Sequence, residues 1–156
     1  MIANPSRPSL KGRALRYLAA REHSRAELAA KLARHVDAAD EPDAIARVLD
    51  ELAAKGFIDE ARVAESVLHR RAPRLGAARV LQELRAKGLP DEVLADAAQQ
   101  LHASELARAQ DVCRRKFGAP PQDAAERARQ MRFLATRGFS ADTVRRVLRA
   151  ANEANG

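Results

Sequence analysis

Apolar residues recur at intervals of three and four along almost the whole chain, and this spacing restricts the possible fold more than any other feature. The positions i, i+3, i+4 and i+7 are occupied by Ile45, Val48, Leu49 and Leu52. Such residues lie on one face of a helix. The same spacing recurs over residues 77–84, 94–101 and 144–151, and no segment alternates apolar and polar residues as a half-buried strand does. The sequence therefore predicts an all-α fold.

Residues typical of helix ends separate these segments. Ser24 and Glu27 have the spacing of a capping box, in which each side chain accepts from the other residue's amide. Asp59 is a good N-cap for a following helix. A basic residue, a glycine and an apolar residue follow one another three times, in Lys55-Gly56-Phe57, Lys87-Gly88-Leu89 and Arg137-Gly138-Phe139. Each triplet predicts a helix that ends at a left-handed glycine.

Two of these turns lie 50 residues apart, at 84–89 and 134–139, and each precedes an amphipathic helix. This repeat predicts three tandem three-helix repeats, which form an elongated, curved array because each unit contacts mainly its neighbours. We expect a flexible tail over residues 1–9 and units over 10–55, 57–103 and 104–152. Residues 91–116 contain no glycine or proline, so one long helix is possible, but a break near Ser104, a plausible N-cap, is favoured.

The residue content argues against catalysis. The seven glycines are isolated, so no phosphate-binding loop is expected. The single cysteine, Cys113, excludes a multi-cysteine zinc site and fits a reducing cytoplasm. The four histidines lack metal-ligand spacing; they are His23, His35, His69 and His102. Aromatic residues make up 3% of the chain, too few for stacking on single-stranded nucleic acid. No apolar run approaches the roughly 20 residues that cross a bilayer. We expect a soluble cytoplasmic protein that is not an enzyme, with no cofactor and no metal site.

Charge is unevenly distributed along the chain, whose formal net charge is +7. Residues 37–60 hold eight acidic and two basic residues, whereas residues 69–87 hold six basic residues and one acidic one. Residues 127–149 hold seven arginines and one aspartate. Two interpretations remain open at this point: a solvated helical surface, or basic segments that bind nucleic acid or an acidic protein through forked arginine contacts.

Several motifs together resemble the bacterial RecX regulators. The first is the string from Arg16-Tyr17-Leu18 to Lys31-Leu32, and the second is Leu52-x-x-Lys55-Gly56-Phe57-Ile58-Asp59-x-x-Arg62. Others are Arg70-Arg71-x-x-Arg74-x-Gly76-x-x-Arg79, Glu83-Leu84-x-x-Lys87-Gly88-Leu89 and Phe133-Leu134-x-x-Arg137-Gly138-Phe139-Ser140. The likeness covers roughly residues 12–150. Val63 departs from the pattern, because an aromatic residue is expected there.

The resemblance implies three tandem three-helix units and a regulator that binds the RecA recombinase, chiefly its filament on single-stranded DNA. RecX proteins limit the ATPase, strand-exchange and coprotease activities of RecA. By this likeness the expected partner-binding residues are exposed cations: Arg70, Arg71, Arg74, Arg79, Arg85, Lys87, Arg145 and Arg146. We expect a monomer whose binding to naked DNA is weak and independent of sequence.

A helix-turn-helix DNA-binding regulator is the alternative. Residues Val80 to Leu101 have a helix, a glycine turn and a second helix, and in such modules the start of the second helix reads bases. Here that start carries Asp91 and Glu92, whose carboxylates would repel phosphate.

Overall fold

The structure, a computed structural model, describes residues 7–154, in which eight α-helices and no β-strand occur. The helices are α1 (Leu10–Ala20), α2 (Arg25–Ala33), α3 (Ala44–Ala54), α4 (Glu60–Arg71), α5 (Ala77–Ala86), α6 (Asp91–Phe117), α7 (Ala124–Thr136) and α8 (Ala141–Ala154). The prediction of an all-α fold is confirmed. Residues 1–6 of the predicted tail lie outside the described part of the chain, and Ser9 caps α1 by accepting from the Gly12 amide.

The apolar side chains form three separate cores in chain order. Unit 1, α1 to α3, closes over Leu28, Leu32 and Leu52. Unit 2, comprising α4, α5 and the first half of α6, closes over a core that includes Leu84 and also Val63; the smaller side chain of Val63 is only 1% exposed.

Unit 3 comprises the second half of α6 with α7 and α8, and its core includes Leu134 and Leu148. The accessible surface of the chain is 9801 Å², whereas a compact monomer of 17.0 kDa exposes about 7,700 Å². The excess is expected for a row of three small cores.

The predicted helix ends are present. Ser24 accepts from the Glu27 amide while the Glu27 carboxylate accepts from the Ser24 amide, so the capping box is complete. Asp59 accepts from the Arg62 amide at the start of α4. Gly88 and Gly138, after α5 and α7, have φ angles of +69° and +93°, the left-handed conformation that glycine adopts without strain.

The predicted break near Ser104 is wrong, because α6 runs unbroken for 27 residues. The Ser104 hydroxyl donates to the Gln100 carbonyl and accepts from Arg108 Nε at 2.9 Å, so it serves within the helix rather than as a cap. Leu101 packs in the core of unit 2 and Ala109 in that of unit 3. One helix is therefore shared by two units, and there are eight helices in residues 7–154 instead of nine.

Neighbouring units meet in the same way twice. The N-cap residue of the second helix of one unit contacts the basic residue of the glycine turn in the next unit. In the first joint, between units 1 and 2, the Ser24 hydroxyl donates to the Lys87 carbonyl. In the second joint, between units 2 and 3, the Gly76 amide donates to the Arg137 carbonyl at 2.8 Å.

Each joint also contains a glutamate from the first helix of the following unit. Glu60 Oε1 accepts from the Arg25 amide at 2.8 Å, and Glu105 Oε1 accepts from the Ala77 amide at 2.9 Å. Both amides are first-turn donors with no partner inside their own helix. Glu105 Oε2 also accepts from the Thr143 hydroxyl at 2.7 Å, whereas Glu60 Oε2 is buried with no hydrogen-bond partner among residues 7–154. The second joint is therefore the better satisfied of the two.

Candidate partner-binding surface

Residues 7–154 contain no group of three or more His, Cys, Asp or Glu side chains arranged to hold a metal ion. Within the same residues, no helix is long and apolar enough to cross a membrane. Cys113 is buried beside Gln130 Oε1, and burial raises the pKa of its thiol. Because the thiolate is the nucleophilic form, this side chain acts as part of the core of unit 3.

A group of arginines lies at the second joint. Four arginines line one cleft of about 440 Å³: Arg71, Arg74, Arg79 and Arg137. We call it the arginine cleft. Three of its arginines belong to unit 2, where Arg71 ends α4, Arg74 lies in the following turn and Arg79 is exposed on α5. Arg137 is the C-cap residue of α7 in unit 3.

Two glycines permit the close approach that forms the cleft. A Cβ atom on Gly76 would lie 2.2 Å from the carbonyl carbon and oxygen of Gly138, so any larger residue requires the two units to move apart. A Cβ atom on Gly138 would lie 2.1 Å from Arg79 Cγ. The aliphatic part of Arg79 therefore lies across the Gly138 turn, and its Nη1 donates to the Thr136 carbonyl at 2.8 Å.

The arginines of the cleft have different partners. Arg71 Nη2 lies 3.1 Å from Glu83 Oε1, and the Arg137 guanidinium lies 5.0 Å from the centre of the Phe133 ring. Arg74 is exposed, and no side-chain hydrogen bond or ion pair of Arg74 is found within residues 7–154. The cleft therefore keeps unused guanidinium donors that point to solvent, and one carboxylate, Glu83, offsets part of its positive charge.

The other candidate residues lie outside the cleft. Arg70 donates to the carbonyl of Ser66 in its own helix, and Arg85 is exposed on another side of α5. Arg145 and Arg146 flank Asp142 on α8, at 3.8 and 3.1 Å. The structure therefore brings together three of the eight candidates, Arg71, Arg74 and Arg79, and separates the remaining five.

Lys87 belongs to the first joint. Its side chain is 18% exposed, and its Nζ lies 3.6 Å from Glu27 Oε1. Burial alone would raise the pKa of Glu27, but the hydrogen bonds from Arg21 and the Ser24 amide, together with the charge of Lys87, lower it to about 2. Lys87 is thus already paired within the chain.

Arg137 and Glu105 were missed as contributors to this region. Arg137 lies 50 residues after Lys87, at the same position of the repeated glycine turn. The repeat therefore indicated that the two residues have equivalent places in their units, and both contact the preceding unit. Glu105 follows Ser104 in a stretch without glycine or proline, and nothing in its local sequence marks a glutamate that is only 6% exposed.

Models of the three RecX three-helix domains match the chain in order. The first domain matches residues 11–52, the second residues 59–97 and the third residues 103–148. The chain belongs to the RecX family. Among curated relatives, the Regulatory protein RecX of Leptothrix cholodnii is 58% identical over 97% of this chain and 95% of its own length. That of Ralstonia nicotianae is 51% identical over 97% of this chain and 94% of its own length.

Solved RecX structures share the fold. RecX from Lactobacillus salivarius superposes with a TM-score of 0.75 at 19% identity, over 92% of this chain and 95% of its own. A second crystal structure, of regulatory protein RecX, gives a TM-score of 0.69 at 20% identity, over 88% of this chain and 70% of its own. The predicted row of three tandem three-helix units is therefore confirmed, and the chain is a member of a family of regulatory proteins.

Proposed function

We propose that this RecX family member binds the RecA recombinase, chiefly its filament on single-stranded DNA, and limits the recombinase, ATPase and coprotease activities of that filament. The observation that carries the proposal is the family match, in which all three RecX domains occur in order and span most of the chain. Such a protein acts in homologous recombination, DNA repair and the SOS response, as a monomer in the bacterial cytoplasm without a cofactor or catalytic activity of its own.

The exposed cations support a polyanionic or acidic partner. The eight candidate partner-binding residues remain proposals, and the arginine cleft holds Arg71, Arg74 and Arg79 in one place. A helix-turn-helix DNA reader is less well supported, because the first turn of α6 carries Asp91 and Glu92. Carboxylates at that position would face the phosphates of a duplex.

A co-sedimentation experiment with four arms tests the proposal. The chain is mixed with RecA filament on single-stranded DNA, with the same DNA alone, with RecA alone, or with a duplex DNA of defined sequence at low and raised salt. The pelleted fraction is measured in each arm, and the RecA ATPase rate is measured in the filament arm. We expect tight binding to the filament, weaker binding to either component and a slower ATPase. Tight binding to one defined duplex that persists in raised salt, with an unchanged ATPase rate, would contradict the proposal and favour the helix-turn-helix alternative.

A further inference from the structure

We propose that the arginine cleft binds the sugar–phosphate backbone of a nucleic acid strand, as a composite site formed where units 2 and 3 meet, with Arg137 as its fourth cation. The inference rests on the proposed function in placing the molecule on a nucleoprotein filament. It goes further in assigning a ligand class to one cleft and in adding a residue that the candidate list lacked.

The charge of the cleft suits phosphate. Four guanidinium groups line it against one carboxylate, that of Glu83, which is paired with Arg71. Arg74 is exposed and Arg79 uses Nη1 for the Thr136 carbonyl, so its other nitrogens stay available. Guanidinium groups present parallel donors that match two phosphate oxygens at once. A phosphate row therefore relieves the mutual repulsion of these cations while using donors that are otherwise hydrated.

The lining argues against a protein partner at this cleft. Its apolar surface comes from Leu75 and Ala86, and no aromatic side chain lines it. Protein interfaces usually gain most of their affinity from Trp, Tyr and Arg side chains that are fully buried, whereas this cleft has no aromatic residue and its three arginines from unit 2 are exposed. The lack of lining aromatics also leaves no surface for stacking bases. Recognition here is therefore of the backbone and independent of sequence, with Gln82 as an additional polar contact.

The joint holds two of the four cations, Arg79 and Arg137, in place before a ligand arrives. Arg79 is fixed between the Gly138 turn and the Thr136 carbonyl. Arg137, which lies over the Phe133 ring, belongs to the same turn as Gly138. Because the guanidinium groups of both units are already positioned, less side-chain entropy is lost on binding. The same two glycines thus determine the joint and the spacing of the site.

The test is fluorescence anisotropy of a labelled oligothymidylate, titrated with the full chain at several salt concentrations. The cleft variant is Arg74→Glu with Arg137→Glu. Its matched control is Arg16→Glu with Arg34→Glu, two exposed arginines of unit 1 that are not candidate partner-binding residues, which changes the net charge equally outside the cleft. For two lost phosphate contacts we expect about tenfold weaker binding by the cleft variant at low salt, and a slope of log K against log salt that is smaller by about 1.4. The control should keep the wild-type slope.

A second cleft variant, Arg74→Gln with Arg137→Gln, should also weaken binding, although it adds no negative charge. Thermal melting followed by circular dichroism checks that each variant is folded. Equal losses in the cleft and control variants would overturn the proposal, because only the net charge would then matter. Polyglutamate is titrated as a second ligand that stands for an acidic protein. A folded cleft variant that binds DNA as the wild type does but no longer binds polyglutamate would assign the cleft to an acidic protein instead. Co-sedimentation with RecA filament is measured separately: failure of the wild-type chain there contradicts the proposed function, while the oligothymidylate result still decides the cleft.

Discussion

Replacing Glu105 with alanine should remove hydrogen bonds between units 2 and 3 and lower the stability of the chain. The carboxylate is 6% exposed and accepts from the Ala77 amide at 2.9 Å and the Thr143 hydroxyl at 2.7 Å. Alanine leaves the Ala77 amide buried without a partner and leaves the Thr143 hydroxyl only its contact with Ser140 Oγ at 2.9 Å. Hydrogen bonds to a charged group contribute about 1.5–3 kcal/mol each, and each orphaned buried group costs a comparable amount. We expect Glu105→Ala to lower the free energy of unfolding by about 3–5 kcal/mol.

The first joint supplies an internal comparison. Glu60 occupies the equivalent position but accepts only from the Arg25 amide, and its Oε2 has no partner among the described residues. Glu60→Ala should therefore cost about 1–2 kcal/mol. Urea unfolding followed by circular dichroism measures both variants against Glu65→Ala, an exposed position on the same helix as Glu60, which should change stability by less than about 0.5 kcal/mol. Equal losses at Glu60 and Glu105 would refute the reasoning.

The missing partner of Glu60 can be supplied. Val93 lies 50 residues before Thr143, at the equivalent position of the third helix in its unit. We expect Val93→Thr to place a hydroxyl near Glu60 Oε2 and to stabilise the chain by about 1 kcal/mol, less the cost of the lost apolar contact. In a Glu60→Ala background that gain should vanish, which a double-mutant cycle measures directly.

Three further predictions concern the surface, the core and pH. Arg70→Glu with Arg74→Glu should abolish RecA-filament co-sedimentation and inhibition while changing the melting temperature little; inhibition that survives in the folded variant would contradict the assignment of the middle basic segment. Leu84→Ala, at a fully buried position, should instead cost about 2–5 kcal/mol in urea unfolding, with binding retained by the fraction that stays folded. Burial, together with the charges of Arg21 and Lys31, lowers the pKa of His23 from 6.5, so its contribution to stability is present above pH 6.5 and is lost as the pH falls below it. The pKa of Glu27 is lowered from 4.5 to about 2, so a second loss of stability is expected as the pH falls between those values. Thermal melting temperatures measured over a pH series should show both losses in the wild-type chain, and His23→Asn should remove the one that begins near pH 6.5.

Local signals were sufficient for most of the fold. Helical spacing, the Ser24 and Glu27 capping box and the glycine turns depend on interactions within a few residues, and each is found where the sequence predicts it. The break near Ser104 failed for a physical reason. A serine is compatible with an N-cap and with a helix interior, and the contacts of Arg108 with the carbonyls of Ala72 and Leu75 favour the continuous helix. Those contacts span more than thirty residues and leave no local pattern.

The arginine cleft also combines features that local sequence predicts with contacts between distant residues that it does not predict. The charge count marked residues 69–87 as basic, and three cations of that segment do share a cleft. Periodicity on α5 alone would have separated Arg79 from Arg85, because residues six apart lie on different faces of a helix. Arg137 required knowledge of how unit 3 meets unit 2, which depends on the close approach of Gly76 and Gly138. The local sequence around each glycine does not indicate that the two come into contact.

The second joint and the arginine cleft are built from the same contacts, and this affects how variants should be interpreted. A substitution at Gly76 or Gly138 would push the units apart, since a Cβ atom at either position meets neighbouring atoms at 2.1–2.2 Å. It would therefore move Arg137 away from Arg74 and Arg79 without removing any cation. Loss of binding in such a variant would report on geometry and not on contact with a ligand. Only substitutions of the guanidinium groups themselves, made in a chain whose joint is intact, distinguish the two causes.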